Sequence, residues 1–86
     1  MIEIIWARIK RFEGETFYQI RGGQFTYMVR DSHLIPSRTN QNIPKKHFKE
    51  ALTQVPLFNT ASVQHLRGPS YIYAILMDNR IRQSDW

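Results

Sequence analysis

"TFYQIRGGQFTYMVRDSHLI", residues 16–35, sets aromatic and β-branched residues on either side of Gly22-Gly23 and again across Asp31-Ser32. A Gly-Gly pair supplies the positive φ values of a two-residue hairpin turn. In that register Ile20 faces Phe25, Tyr18 faces Tyr27 and Thr16 faces Val29. A second tight turn at Asp31-Ser32 sets Val29 opposite Leu34 and Met28 opposite Ile35. Both turns place Ile20, Phe25, Tyr18, Tyr27, Val29 and Leu34 on one face, so two separately chosen turns agree on a three-stranded antiparallel meander. The opposite face then carries Arg21, Gln24, Gln19, Thr26, Arg30 and His33, with Phe17, Met28 and Ile35 at one end. It reads as a solvated face partly covered by the C-terminal helix, or as a binding platform.

Working outward, Ile2, Ile5, Trp6, Ile9 and Phe12 follow the spacing of one helix face, and Gly14 stands where a glycine would end that helix. A strand over Ile2-Ile4-Trp6 is the weaker alternative. Downstream, "IPKKHFKEALTQVP" (43–56) aligns Phe48, Ala51, Leu52 and Val55 on one stripe, with Pro44 suited to the first turn and Pro56 to the stop. Asn59 or Thr60 caps a short helix through Leu66. "GPSYIYAILMDNR" (68–80) is continuously apolar from Tyr71 to Met77, where periodicity alone does not separate helix from strand; its Pro-Ser start favours helix. The expectation is a single α+β domain over residues 1–86, α-β-β-β-α-α, with the N-terminal helix and two C-terminal helices packed on one sheet face.

Eighty-six residues leave room for one modest core. No apolar run has the length of a membrane span, and the charged N-terminus does not read as a signal peptide. There is no cysteine, which removes disulfides, thiolate nucleophiles and cysteine zinc sites and fits a cytoplasmic setting. The formal net charge is +5. Its location is informative. Between Thr16 and Lys49 stand Arg21, Arg30, Arg38, Lys45, Lys46 and Lys49 against one acid, Asp31, whereas bases and acids cancel in the rest of the chain. A basic segment of this kind attracts polyanions.

The segment "IPSRTNQNIPKKHFK" (35–49) concentrates that charge. Lys45, Lys46 and Lys49 fall in the first turns of a helix, where they oppose the macrodipole, and a helix start flanked by lysines and Arg38 suits phosphate. Ser37, Thr39, Asn40, Gln41 and Asn42 add polar side chains that contact phosphate, sugar or base; the bland alternative is that Asn42 only caps the helix. The expected interface is therefore Arg38, Asn40, Gln41, Asn42, Lys45, Lys46 and Lys49, extended by Arg21 and Arg30. The order α-β-β-β-α over residues 4–55, with a lysine pair opening the second helix, resembles the layout of double-stranded-RNA-binding domains. That resemblance implies that the lysines meet phosphates across a groove. The Gly-Pro-X-His loop of that family has no counterpart here, where the turn reads Arg21-Gly22-Gly23-Gln24.

Other chemistries fit less well. A helix-turn-helix through residues 60–76 presents an apolar helix to a wet groove. His33, His47 and His65 lack metal-ligand spacing, and no metal or cofactor is expected. His47 beside Lys46 and Glu50 offers an RNase-like acid–base site. Trp86 beside Arg80, Ile81 and Arg82 either docks an acidic partner protein or folds back on the domain. The reading is a non-enzymatic domain that binds RNA or DNA, with a protein-interaction module as the alternative and a small basic ribonuclease after it.

Overall fold

Ile2, Ile5, Trp6 and Ile9 form one buried stripe along α1 (Ile2–Arg11), as their spacing dictates. The computed structural model describes all of residues 1–86. After α1 come β1 (Phe17–Tyr18), β2 (Gln24–Phe25), β3 (Tyr27–Arg30), β4 (His33–Pro36), β5 (Ile43–Pro44) and α2 (Lys45–Ala51). A 3-10 turn at Ala61–Val63, α3 (Pro69–Leu76) and α4 (Asn79–Arg82) complete the chain. This is the expected α+β fold, with an N-terminal helix, a three-stranded antiparallel sheet and C-terminal helices. No helix is long and apolar enough to cross a membrane.

The second hairpin keeps the expected register, Val29 opposite Leu34 and Met28 opposite Ile35. The first does not. Phe17 pairs with Phe25 and Tyr18 with Gln24, a slip of three residues from the two-residue turn. An odd slip reverses the face of the whole strand. Phe17 is fully buried, while Tyr18 is 58% and Ile20 50% exposed. The cause is a wider turn: Gln19 N–H donates to Gly23 O at 2.7 Å and Gly22 N–H to Gln19 O at 2.8 Å. Only Gly22 of the glycine pair has a positive φ, so the turn that would have opposed Ile20 to Phe25 does not form.

The three-stranded sheet is consequently β3-β4-β5 and β1-β2 is a separate pair. β5 joins through Ile43 opposite Leu34 and Pro44 opposite His33. The outer sheet face, with Met28 52% exposed, is not covered by the C-terminal helices. β3 is an edge strand, and its open side is met by the end of α1. Gly14 N–H donates to Tyr27 O at 3.0 Å, and Val29 N–H donates to Glu13 Oε2 at 2.6 Å. Gly14 reaches this position with φ +84; it lies two residues past the helix cap Phe12, and serves the sheet more than the helix.

One core of nineteen buried apolar side chains joins α1, both sheets, α2, α3 and Ile81 of α4. Burying Val, Leu, Ile or Phe in such a core contributes about 1.5–3 kcal/mol each before chain entropy is counted. Residues 69–76 are helical, with Pro69 at the first turn and Ile72, Ala74, Ile75 and Leu76 buried. The other residues of that helix, Pro69, Ser70, Tyr71 and Tyr73, are half-buried. Gly68 precedes it at φ +62, and a Cβ there would lie 2.7 Å from Ile43 Cδ1, so glycine is what lets α3 start against β5. Tyr27 crosses the core to donate its hydroxyl to Ile9 O at 2.6 Å. That carbonyl belongs to the last turn of α1, where main-chain oxygens lack helical partners. Burial pushes the Tyr27 hydroxyl well above its ordinary pKa, with the Arg80 guanidinium opposing.

Candidate nucleic-acid interface

Pairing of β5 with β4 fixes where α2 begins. Lys45 N–H donates to Ser32 O at 2.8 Å, which locks the helix start against the Asp31-Ser32 turn. As a result Lys45, Lys46, Lys49 and Ser32 line one shallow depression of about 300 Å³ with Ile2 and Glu3. None of the three lysines is in an ion pair. α2 has no acid in its first turn and no side-chain cap; its N-cap is Pro44, not Asn42. The helix is only seven residues long and its first N–H is occupied. The charge at this face is three ammonium groups against the Glu3 carboxylate, and the first N–H of the helix is taken by Ser32 O.

The other expected residues are spread over different faces. Arg38 leans on the first hairpin, its Nη1 3.5 Å from Gln24 O and close over Gly23. Arg21 lies at the tip of that hairpin, lining a hollow with Gln19, Ile20, Thr60 and Ser70. Arg30 sits on the outer sheet face beside Met28 and Ile35. Within the loop, Ser37 Oγ accepts from Thr26 N–H at 3.0 Å and Thr39 Oγ1 from Gln41 N–H at 3.2 Å, so these two hydroxyls hold the loop's own shape. Asn40, Gln41 and Asn42 are exposed, and Asn42 O accepts from Arg67 Nη1 at 3.4 Å.

Arg67 was not legible as a site residue, because it lies outside the basic segment and no periodicity marks it. Its backbone N–H donates to His47 Nδ1 at 3.0 Å. Glu50 pairs with His65 rather than with His47, so the acid–base set of His47, Lys46 and Glu50 is not assembled. Desolvation, followed by Lys46 and Arg67, holds the His47 imidazolium pKa below 6.5, and Glu50 opposes weakly. His47, His65 and Arg67 line a cleft of about 620 Å³ with Gln41, Ser70 and Tyr71.

The C-terminal arginines do something else. Arg80 Nε and Nη2 bind the Asp78 carboxylate at 2.9 Å, Nη2 also donates to Thr16 O at 2.8 Å, and the guanidinium covers the Phe17 ring at 3.9 Å. Arg82 Nε donates to Trp86 O at 2.7 Å, and Trp86 Nε1 donates to Leu76 O at 2.8 Å. Trp86 folds back on the domain, and both arginines of this strip have internal acceptors. Comparison of the chain with protein-family models, with curated proteins and with solved structures gives no match.

Proposed function

We propose that this is a non-enzymatic nucleic-acid-binding domain whose Lys45, Lys46 and Lys49 face holds phosphates of RNA or DNA, in the cytoplasm. One observation carries the reading: none of the six bases between residues 16 and 49 is in an ion pair, and three of them share one depression. Long unpaired ammonium groups grouped on one face are what a phosphate backbone exchanges for its counterions. Asn40, Gln41 and Asn42 add polar contacts at the neighbouring loop, while Arg38, Arg21 and Arg30 extend the positive field over adjacent faces.

An acidic protein partner is the second reading. It draws on the exposed Met1 and Ile4 and on a hollow of about 440 Å³ that joins Met1, Ile2 and Leu52 to Lys49. A ribonuclease has less support. His47 Nδ1 already accepts a backbone N–H, so its remaining ring N–H donates and does not serve as a general base.

The test is fluorescence anisotropy with a short RNA duplex, single-stranded RNA and a DNA duplex across a salt series. Three phosphate contacts give a slope of log K against log salt of about −3 and a loss of about 40-fold between 50 and 200 mM salt. K45E/K46E abolishes binding, and K10E/R11E, on the exposed face at the end of α1, leaves most of it. Equal loss in both variants would leave only diffuse charge and sink the localised site.

A further inference from the structure

The cleft between α2 and residues 64–71 contains a second, different collection of donors. Arg67 carries an exposed guanidinium with no carboxylate partner; its one side-chain bond is the long contact to Asn42 O. His47 accepts at Nδ1, which fixes the neutral tautomer with the proton on Nε2 and leaves that N–H without a protein acceptor. Ser70 Oγ accepts from Gln19 Nε2 at 2.9 Å, so its own hydroxyl proton is free to be donated. The Gln41 side chain is exposed and unbonded. These groups come from the 37–42 loop, α2, the 64–68 segment and α3, and they converge on one cleft. Glu50, the carboxylate closest in chain to His47, is paired with His65 at the rim of the same cleft.

A cleft with several donors, one unpaired guanidinium and no carboxylate among its lining residues favours an anion. A guanidinium fork matches a tetrahedral oxyanion in two-pronged fashion. The hollow, about 620 Å³ and wide open to solvent, is larger than a bare oxyanion requires. Tyr71 supplies an aromatic wall, fixed edge-on against Phe25 at 4.9 Å between ring centroids.

We propose that this cleft binds a phosphate monoester of nucleotide size, its phosphate held by Arg67, the His47 Nε2–H, the Ser70 hydroxyl and the Gln41 amide. The site is separate from the Lys45, Lys46 and Lys49 face and stands whether or not that face binds nucleic acid. Because His47 lies near Lys46, Arg67, Glu50 and His65, the titration is run at pH 7.5, where the imidazole is neutral and the phosphate is mostly dianionic.

The experiment is a histidine side-chain ¹H–¹⁵N NMR titration with sodium phosphate and adenosine monophosphate, with acetate and chloride at matched ionic strength. His33, which pairs with Arg30 and Pro44 on β4, is the internal reference. The expected result is a saturable His47 shift with phosphate, tighter with the nucleotide, and a flat His33. R67Q weakens the fitted affinity about tenfold or more, since a charge-assisted contact is lost, whereas K10E/R11E, on the exposed end of α1, changes it less than about twofold. Arg67 is exposed and its backbone N–H is retained in R67Q, so an unchanged amide spectrum certifies the fold. A His47 shift that acetate reproduces, that grows without saturating, or that R67Q leaves unaltered overturns the proposal.

Discussion

Two groups of basic residues occupy opposite roles in this molecule. Around α4, Arg8, Arg80 and Arg82 are all engaged: Arg8 Nη1 meets Asp85 at 2.7 Å and Ile81 O at 2.8 Å, Arg80 is clasped by Asp78 and Thr16 O, and Arg82 holds Trp86 O. At the start of α2, Lys45, Lys46 and Lys49 have no partner among the acids. Residue type follows role. The planar guanidinium serves several acceptors in fixed directions, and the flexible ammonium remains hydrated at the surface. The difference teaches that the bases which hold the fold together have local acceptors, whereas the charge excess stands unpaired.

The sharpest way to break that contrast is R80A. It removes the bond to Thr16 O, the cover on Phe17 and the partner of the Asp78 carboxylate, and lowers stability by about 2–3 kcal/mol in a urea titration. Burial alone would raise the Asp78 carboxyl, but hydrogen bonds from the Arg80 side chain and backbone outweigh it and hold it below 3.8. A depressed carboxyl contributes stability that is present above about 3.8 and lost as pH falls through the folded value. In R80A that acid-side loss becomes shallower. A stability change under about 0.5 kcal/mol would class Arg80 with the free bases.

Next in size is Y27F, which leaves the Ile9 carbonyl buried without its donor and costs about 1–2 kcal/mol, read as a lowered urea midpoint at unchanged m-value. It sharpens the comparison by testing the polar tie between α1 and β3 without touching any base. The smallest effect on stability is that of K45E/K46E. Acids at a helix start are favoured by a few tenths of a kcal/mol, so the variant that abolishes binding is as stable as the parent or slightly more so in the same titration. Loss of stability beyond about 1 kcal/mol would show that these lysines serve the fold.

Local patterns carried much of the fold. The stripe of α1 and the register across Asp31-Ser32 both follow from residue spacing, and the structure repeats them. The first hairpin was not legible, because a Gly-Gly pair permits several turns and the core made the choice. Burying Phe17 beside Phe25 and Tyr27, with ring centroids 6.1 and 5.2 Å away, prevailed over burying Tyr18 and Ile20. The site was half legible. Lysines three and four residues from a common turn share a helix face, so Lys45, Lys46 and Lys49 were foreseeable together. Arg21, Arg30 and Arg38 were grouped by sequence alone; they stand on the first hairpin, the outer sheet face and the loop after β4, and so on separate faces. The meeting of Arg67 with His47 depends on where α3 begins, which rests on the close approach of Gly68 to Ile43 and not on any motif.

The edge of β3 has a consequence for how copies of this chain treat one another. A bare edge is a template on which a second molecule can lay its own strand and begin an ordered aggregate. Here Gly14 occupies the Tyr27 carbonyl and the Glu13 carboxylate occupies the Val29 N–H, so a stretch of main chain that would otherwise recruit a neighbour is already spoken for. These two residues, just past the first helix, leave an incoming strand no free partner at Tyr27 or Val29, and place a negative charge where it would have to offer its carbonyl oxygen.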